Sequence, residues 1–78
     1  MRVRKAPMAY DQDLWRWVVE GRDAWYSMRA GEDIEIHLGT TSIRGTIHRD
    51  EFWSWYIVVN GVPLGLISGK RYTVTITI

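Results

Sequence analysis

The chain has 78 residues, with ten Lys or Arg against nine Asp or Glu and a formal net charge of +1. That length admits one small domain, and the near-neutral balance argues against a strongly basic nucleic-acid module. Without Cys there is neither a disulfide staple nor a thiolate metal site, and no apolar run approaches the roughly 20 residues that span a bilayer. A cysteine-free chain fits a reducing compartment, so a cytoplasmic location is expected. Met1-Arg2-Val3-Arg4-Lys5 has no apolar stretch behind it, and no signal peptide is expected. Five Trp, four Tyr and one Phe supply large side chains from which a small core can be built.

Residues 1–13 hold Pro7 and several polar residues without a sustained period, and they read as an irregular N-terminal tail before a domain over residues 14–78. From Leu14 onward the period is two, in short segments rich in Trp, Tyr, Val, Ile and Thr that are separated by Gly. Strands are expected over Leu14–Glu20 and Ala24–Met28, with a turn at Gly21-Arg22-Asp23. Asp33–Leu38 follows, with Ile34, Ile36 and Leu38 on one face and Asp33, Glu35 and His37 on the other. Ile43–Arg49 alternates in the same way, and Gly45 in its middle marks a bend or bulge. Pairing Leu38 with Ile43 brings the apolar faces together, as do registers slipped by two residues. Trp53–Val59 leads into Asn60-Gly61, a strong hairpin signal. Pro63 confines the next segment to an edge or an irregular connection. Arg71–Ile78 closes the chain, with Tyr72, Val74, Ile76 and Ile78 on one face.

These elements point to an all-β domain: a small SH3-like barrel of five to seven short antiparallel strands. The segments Trp25-Tyr26-Ser27-Met28, Gly31-Glu32-Asp33-Ile34-Glu35-Ile36, Gly45-Thr46-Ile47 and Trp55-Tyr56-Ile57-Val58 add a resemblance. Over roughly residues 14–78 the chain resembles a family of small domains of unknown function, seen mainly in Gram-positive bacteria and often in mobile elements. The resemblance implies a fold and carries no catalytic motif. The family pattern has Gly-Asp before the third strand, whereas here Glu32 stands between Gly31 and Asp33.

No nucleophile sits beside a base in a recognisable motif, and the glycines occur singly, apart from Gly45 at strand ends, instead of in a phosphate-binding loop. A non-enzymatic domain without cofactor is therefore expected. Asp33, Glu35, His37 and His48 fall on the polar faces of neighbouring strands, but they lack the spacing of a zinc site and read as surface residues. Alternation cannot send every aromatic inward, so an exposed aromatic face is expected around Trp25, Tyr26, Trp53, Trp55 and Tyr56, with Arg16 and Arg44 beside it. Arg22 and Arg49 are further cations available to such a face. Aromatic and Arg side chains are the usual anchors of protein interfaces, which favours a protein or peptide partner. Two alternatives stay open. The same aromatics could stack on bases, with Arg2, Arg4, Lys5, Arg16 and Arg44 on phosphate; or the uncharged strand Tyr72–Ile78 could present a free edge for homodimerisation.

Overall fold

The computed structural model describes residues 1–78, and all of its regular structure is strand. In chain order the strands are β1 (Arg2–Asp11), β2 (Arg16–Glu20), β3 (Trp25–Ser27), β4 (Asp33–Leu38), β5 (Thr41–Arg49), β6 (Trp55–Val59), β7 (Val62–Gly65) and β8 (Tyr72–Thr77). They form one antiparallel sheet in the order β3-β2-β1-β8-β4-β5-β6-β7. There are thus eight strands where five to seven were expected, and the edge strands β3 and β7 do not pair to close an SH3-like barrel. No helix is long and apolar enough to cross a membrane.

The expected N-terminal tail is instead β1, the longest strand, held between β2 and β8. A bulge hides its period. Val3 faces Ile76 and Ala6 faces Val74, so the register shifts by one between them. Residues three apart normally point to opposite faces; the extra residue turns both toward the core. Lys5 takes the strained position of the bulge, with φ 49°, and its N–H donates to Thr75 Oγ1 at 3.1 Å. The strand expected from Leu14 starts at Arg16, because residues 12–15 form the turn out of β1.

Elsewhere the local signals hold. Asn60 and Gly61 both have positive φ, 50° and 78°, as a type I′ turn requires, and Val59 pairs with Val62. Pro63 lies in the edge strand β7. Gly39-Thr40 makes the tight turn between β4 and β5, so Ile36 faces Ile43 and Glu35 faces Arg44. This is the expected parity, slipped by two residues from the Leu38–Ile43 pairing. The final strand is central: β8 pairs with β1 on one side and β4 on the other. Tyr72–Thr77 is thus an interior strand of the sheet and not the edge strand expected.

The sheet's two halves curl toward each other over one apolar face. Met28–Glu32 joins edge strand β3 to β4, which lies beyond β2, β1 and β8 in the sheet. At one end of this crossing Met28 N–H donates to Trp17 O; at the other, Gly31 N–H donates to Ile47 O and Ile47 N–H to Glu32 O. Beneath it lies the core: Ala6, Met8, Trp17, Val19, Met28, Ile34, Ile36, Ile47, Trp55, Ile57, Val74 and Ile76. Trp17 is its largest fully buried side chain, with Tyr10 and Tyr72 edge-on at ring-centroid distances of 5.7 and 5.5 Å.

Gly45 permits a close contact between two paired strands. A Cβ there would fall on the Val58 carbonyl oxygen and 2.9 Å from Ile57 Cγ1. The mid-strand glycine thus marks a close approach of β6 over β5. Backbone cannot yield as a side-chain end does, so Gly45→Ala should lower unfolding stability by about 2–3 kcal/mol in urea titration.

Candidate functional site

Two loops at one end of the sheet are built alike. In the β1–β2 turn, Asp11 Oδ1 accepts the N–H groups of Asp13 (2.9 Å) and Leu14 (3.0 Å). In the β5–β6 loop, Asp50 Oδ1 accepts those of Phe52 (2.8 Å) and Ser54 (2.9 Å). Aspartate suits this position because its short carboxylate mimics a turn carbonyl. Each loop then carries a Trp in left-handed backbone: Trp15 at φ 57° and Trp53 at φ 65°. That conformation is uncommon outside glycine and costs of order 1–3 kcal/mol in a bulky residue. It turns the two indoles toward each other across the seam between the sheet's halves. They meet edge to face, with centroids 5.8 Å apart.

Both indoles stay largely in solvent, Trp15 at 56% and Trp53 at 47% exposure, with Leu14 and Phe52 also exposed. The Arg49 guanidinium lies 3.8 Å from the Trp53 ring centroid, a cation–π contact. Trp55 lies beneath, only 6% exposed, and its Nε1–H donates to Trp15 O at 3.3 Å. That hydrogen bond ties β6 to the β1–β2 turn. Beside the indoles runs a groove of about 280 Å³, lined by Arg16, Met28, Arg29, Ala30, Arg49 and Trp55.

Of the seven site residues expected from sequence, this seam gathers three: Trp53 exposed, Arg16 on the groove wall and Trp55 as its floor. The other four are dispersed. Trp25 is exposed on β3 beside Glu20, at the end of β2 away from the seam, and Tyr26 packs against the core. Tyr56 stacks on His48, with centroids 5.7 Å apart, and Arg44 is bound to Glu35. Trp15, Arg29 and Phe52 belong to the seam and are not among the seven. The signal for Trp15 was an Asp four residues before it, matching the Asp three residues before Trp53: a short cap that holds the Trp outside the strand; Arg29 had no such signal.

The sheet's outer face carries a larger polar groove of about 480 Å³, lined in part by Arg2, Asp33, Glu35, Arg44 and Thr46. Its two arginines already share a carboxylate. Glu35 lies 3.8 Å from both Arg2 and Arg44, and Ser42 Oγ–H donates to it at 2.6 Å. His37 Nε2 is 2.7 Å from Thr75 Oγ1, and His48 Nε2 is 2.7 Å from Thr46 Oγ1. No group of three or more His, Cys, Asp and Glu is arranged to hold a metal. The Ser42 hydrogen bond, aided by Arg44, His37 and Arg2 and opposed by desolvation, holds the Glu35 carboxyl below its ordinary value.

The geometry defines an all-β domain that carries an exposed Trp pair and three arginines without ion-pair partners at one seam. The chain belongs to the family described as "Domain of unknown function (DUF5348)", which it matches over residues 6–76. Neither a curated protein nor a solved structure shows significant similarity to it.

Two predictions follow from this chemistry. Asp50→Ala should cost about 1–2 kcal/mol and shift Trp fluorescence as Trp53 is released, whereas Asp50→Asn keeps an acceptor oxygen and should lose less. A depressed carboxyl stabilises the fold above its unfolded-state pKa, and that stability is lost as pH falls through the folded value. Stability contributed by Glu35 should thus be full at neutral pH and fade below its ordinary pKa of 4.5. In paired pH–denaturation curves, Glu35→Gln should flatten the acid limb.

Proposed function

We propose that this domain is a non-enzymatic interaction module that binds a protein or peptide through the exposed Trp15–Trp53 pair. The observation that carries the reading is the posture of these residues. Two Trp in costly left-handed backbone, braced by separate Asp-capped loops, are held in solvent while a third Trp of the same seam is buried. Backbone strain maintained around exposed aromatics is a mark of a binding site, and Trp with Arg is the composition of interface hot spots. With Leu14 and Phe52 alongside, the tip is a contiguous apolar patch of the kind that marks an interaction surface.

A nucleic-acid role has less support. Arg2 and Arg44, expected as phosphate contacts, are both engaged by Glu35. Arg16 lies at the opposite end of the β1–β2 hairpin from Glu20, in the seam rather than beside them. Asp13 and Glu51 are exposed on the two loops that carry the indoles, where they would repel a phosphate backbone.

A peptide library displayed on phage tests the proposal. The native domain should enrich a defined set of sequences. Trp15→Ala and Trp53→Ala should retain the fold, losing less than about 1.5 kcal/mol because both side chains are half-exposed, yet fail to retain those sequences. Trp55→Ala should unfold much of the population, with about 3–5 kcal/mol lost. No enrichment, or equal retention by the two exposed-Trp variants, would refute the proposal. Saturable, salt-sensitive quenching of Trp fluorescence by a short single-stranded oligonucleotide would replace it with the nucleic-acid reading.

A further inference from the structure

We infer that the groove beside the indoles is a carboxylate-binding subsite, and that the partner is an acidic peptide segment with an apolar side chain next to its Asp or Glu. The inference rests on the peptide-binding reading and adds the chemical class of the ligand. It starts from charge accounting. The molecule has ion pairs from Arg2 and Arg44 to Glu35 and from Arg71 to Glu20. Arg16, Arg29 and Arg49, which line one groove of about 280 Å³, have none.

Three carboxylates in the adjoining segments hold backbone instead of an arginine, while Asp13 and Glu51 stay exposed on the loop tips. Asp11 and Asp50 accept backbone N–H groups of their own loops. Glu32, in the crossing segment, accepts the backbone N–H of Arg29 through Oε1 instead of meeting its guanidinium. The fold therefore lines one concavity, floored by Met28 and Trp55, with three arginines that have no ion-pair partner. A guanidinium is planar and presents paired donors that match a carboxylate, so Arg is the cation suited to this recognition. Arg49 is also held by its stacking on Trp53, which reduces the freedom it would lose on binding.

The apolar requirement comes from the same geometry. The Trp15–Trp53 pair borders the groove through Trp55, whose indole N–H is bonded to Trp15 O. A peptide that places a carboxylate among the arginines must lay its next side chain against the exposed indoles. A bare anion would use only half of the surface.

The test uses the phage-enriched peptides as synthetic probes, each with a counterpart in which Asp is replaced by Asn or Glu by Gln. Binding is followed by Trp fluorescence. The enriched sequences should share an acidic residue at a fixed spacing from an aromatic or aliphatic one. The amide counterparts should bind about tenfold or more weakly, since a charge-assisted contact is exchanged for a neutral one. Arg16→Gln and Arg29→Gln should each weaken the acidic peptide while leaving its amide counterpart nearly unchanged, with urea midpoints close to that of the native domain. Arg29→Glu should reverse the preference toward a peptide carrying Lys at the acidic position. Enriched peptides that bind through Trp15 and Trp53 but show no acidic preference would overturn this inference and leave the peptide-binding reading standing. Failure to enrich any peptide would overturn both.

Discussion

A short crossing governs this fold. Between Ser27 and Asp33 the chain must travel from one edge of the sheet to its fifth strand, passing β2, β1 and β8. Measured along the sheet, four strand spacings amount to about 19 Å. Five intervening residues reach only about 20 Å when fully extended. The segment also makes ordered hydrogen bonds to Trp17 at one end and Ile47 at the other, so it is not taut. The sheet must therefore curl until β3 and β5 lie across from each other, with the crossing over the apolar face. Met28 goes inside as a consequence. Gly45 is needed because the Val58 carbonyl of the neighbouring strand β6 stands where any Cβ would be.

A curled sheet that does not close has a seam, and the seam explains where the unusual chemistry lies. At the paired center, β1 and β8 have neighbours on both sides and their side chains settle into alternating core and surface roles. At the seam, two loops from distant parts of the chain face each other without strand pairing between them. Their residues are held by caps and side-chain contacts: Asp11, Asp50, and the Trp55 indole bonded to Trp15 O. Left-handed Trp is tolerated there because no ladder demands extended backbone. The strain that would disrupt a strand becomes a means of aiming a side chain.

Much of the fold was legible because period two leaves little freedom. The inward sets Ile34/Ile36, Ile43/Ile47 and Val74/Ile76 stand as alternation requires, and Asn60-Gly61 specified its turn by conformation alone. What stayed hidden shares one cause, the breaking of the period. The Lys5 bulge restores Val3 and Ala6 to the same face, which in sequence looks like no pattern at all. Trp15 and Trp53 each sit two residues from a core Trp, in step with the strand that follows. Parity therefore assigned them to strands, although each Asp cap ends regular backbone before the indole. The seven expected site residues were chosen by type and face, and only the curl could show that Trp53, Arg16 and Trp55 converge while Trp25, Tyr26, Tyr56 and Arg44 do not.

The contrast between the two grooves shows why size and polarity alone do not mark a site. The outer groove is larger, yet its Arg2 and Arg44 share Glu35, and Thr46 and Thr75 of its lining are engaged by His48 and His37. Any ligand there must first break interactions already made. At the seam, Asp11, Asp50 and Glu32 each hold a loop through backbone N–H groups instead of meeting an arginine. One set of hydrogen bonds therefore does two jobs: it fixes the exposed indoles in position, and it keeps Arg16, Arg29 and Arg49 free of partners beside them. A domain this small has few residues to spare for a prearranged surface. Coupling loop capping to charge release lets two aspartates and one glutamate prepare both the apolar and the cationic halves of the same surface.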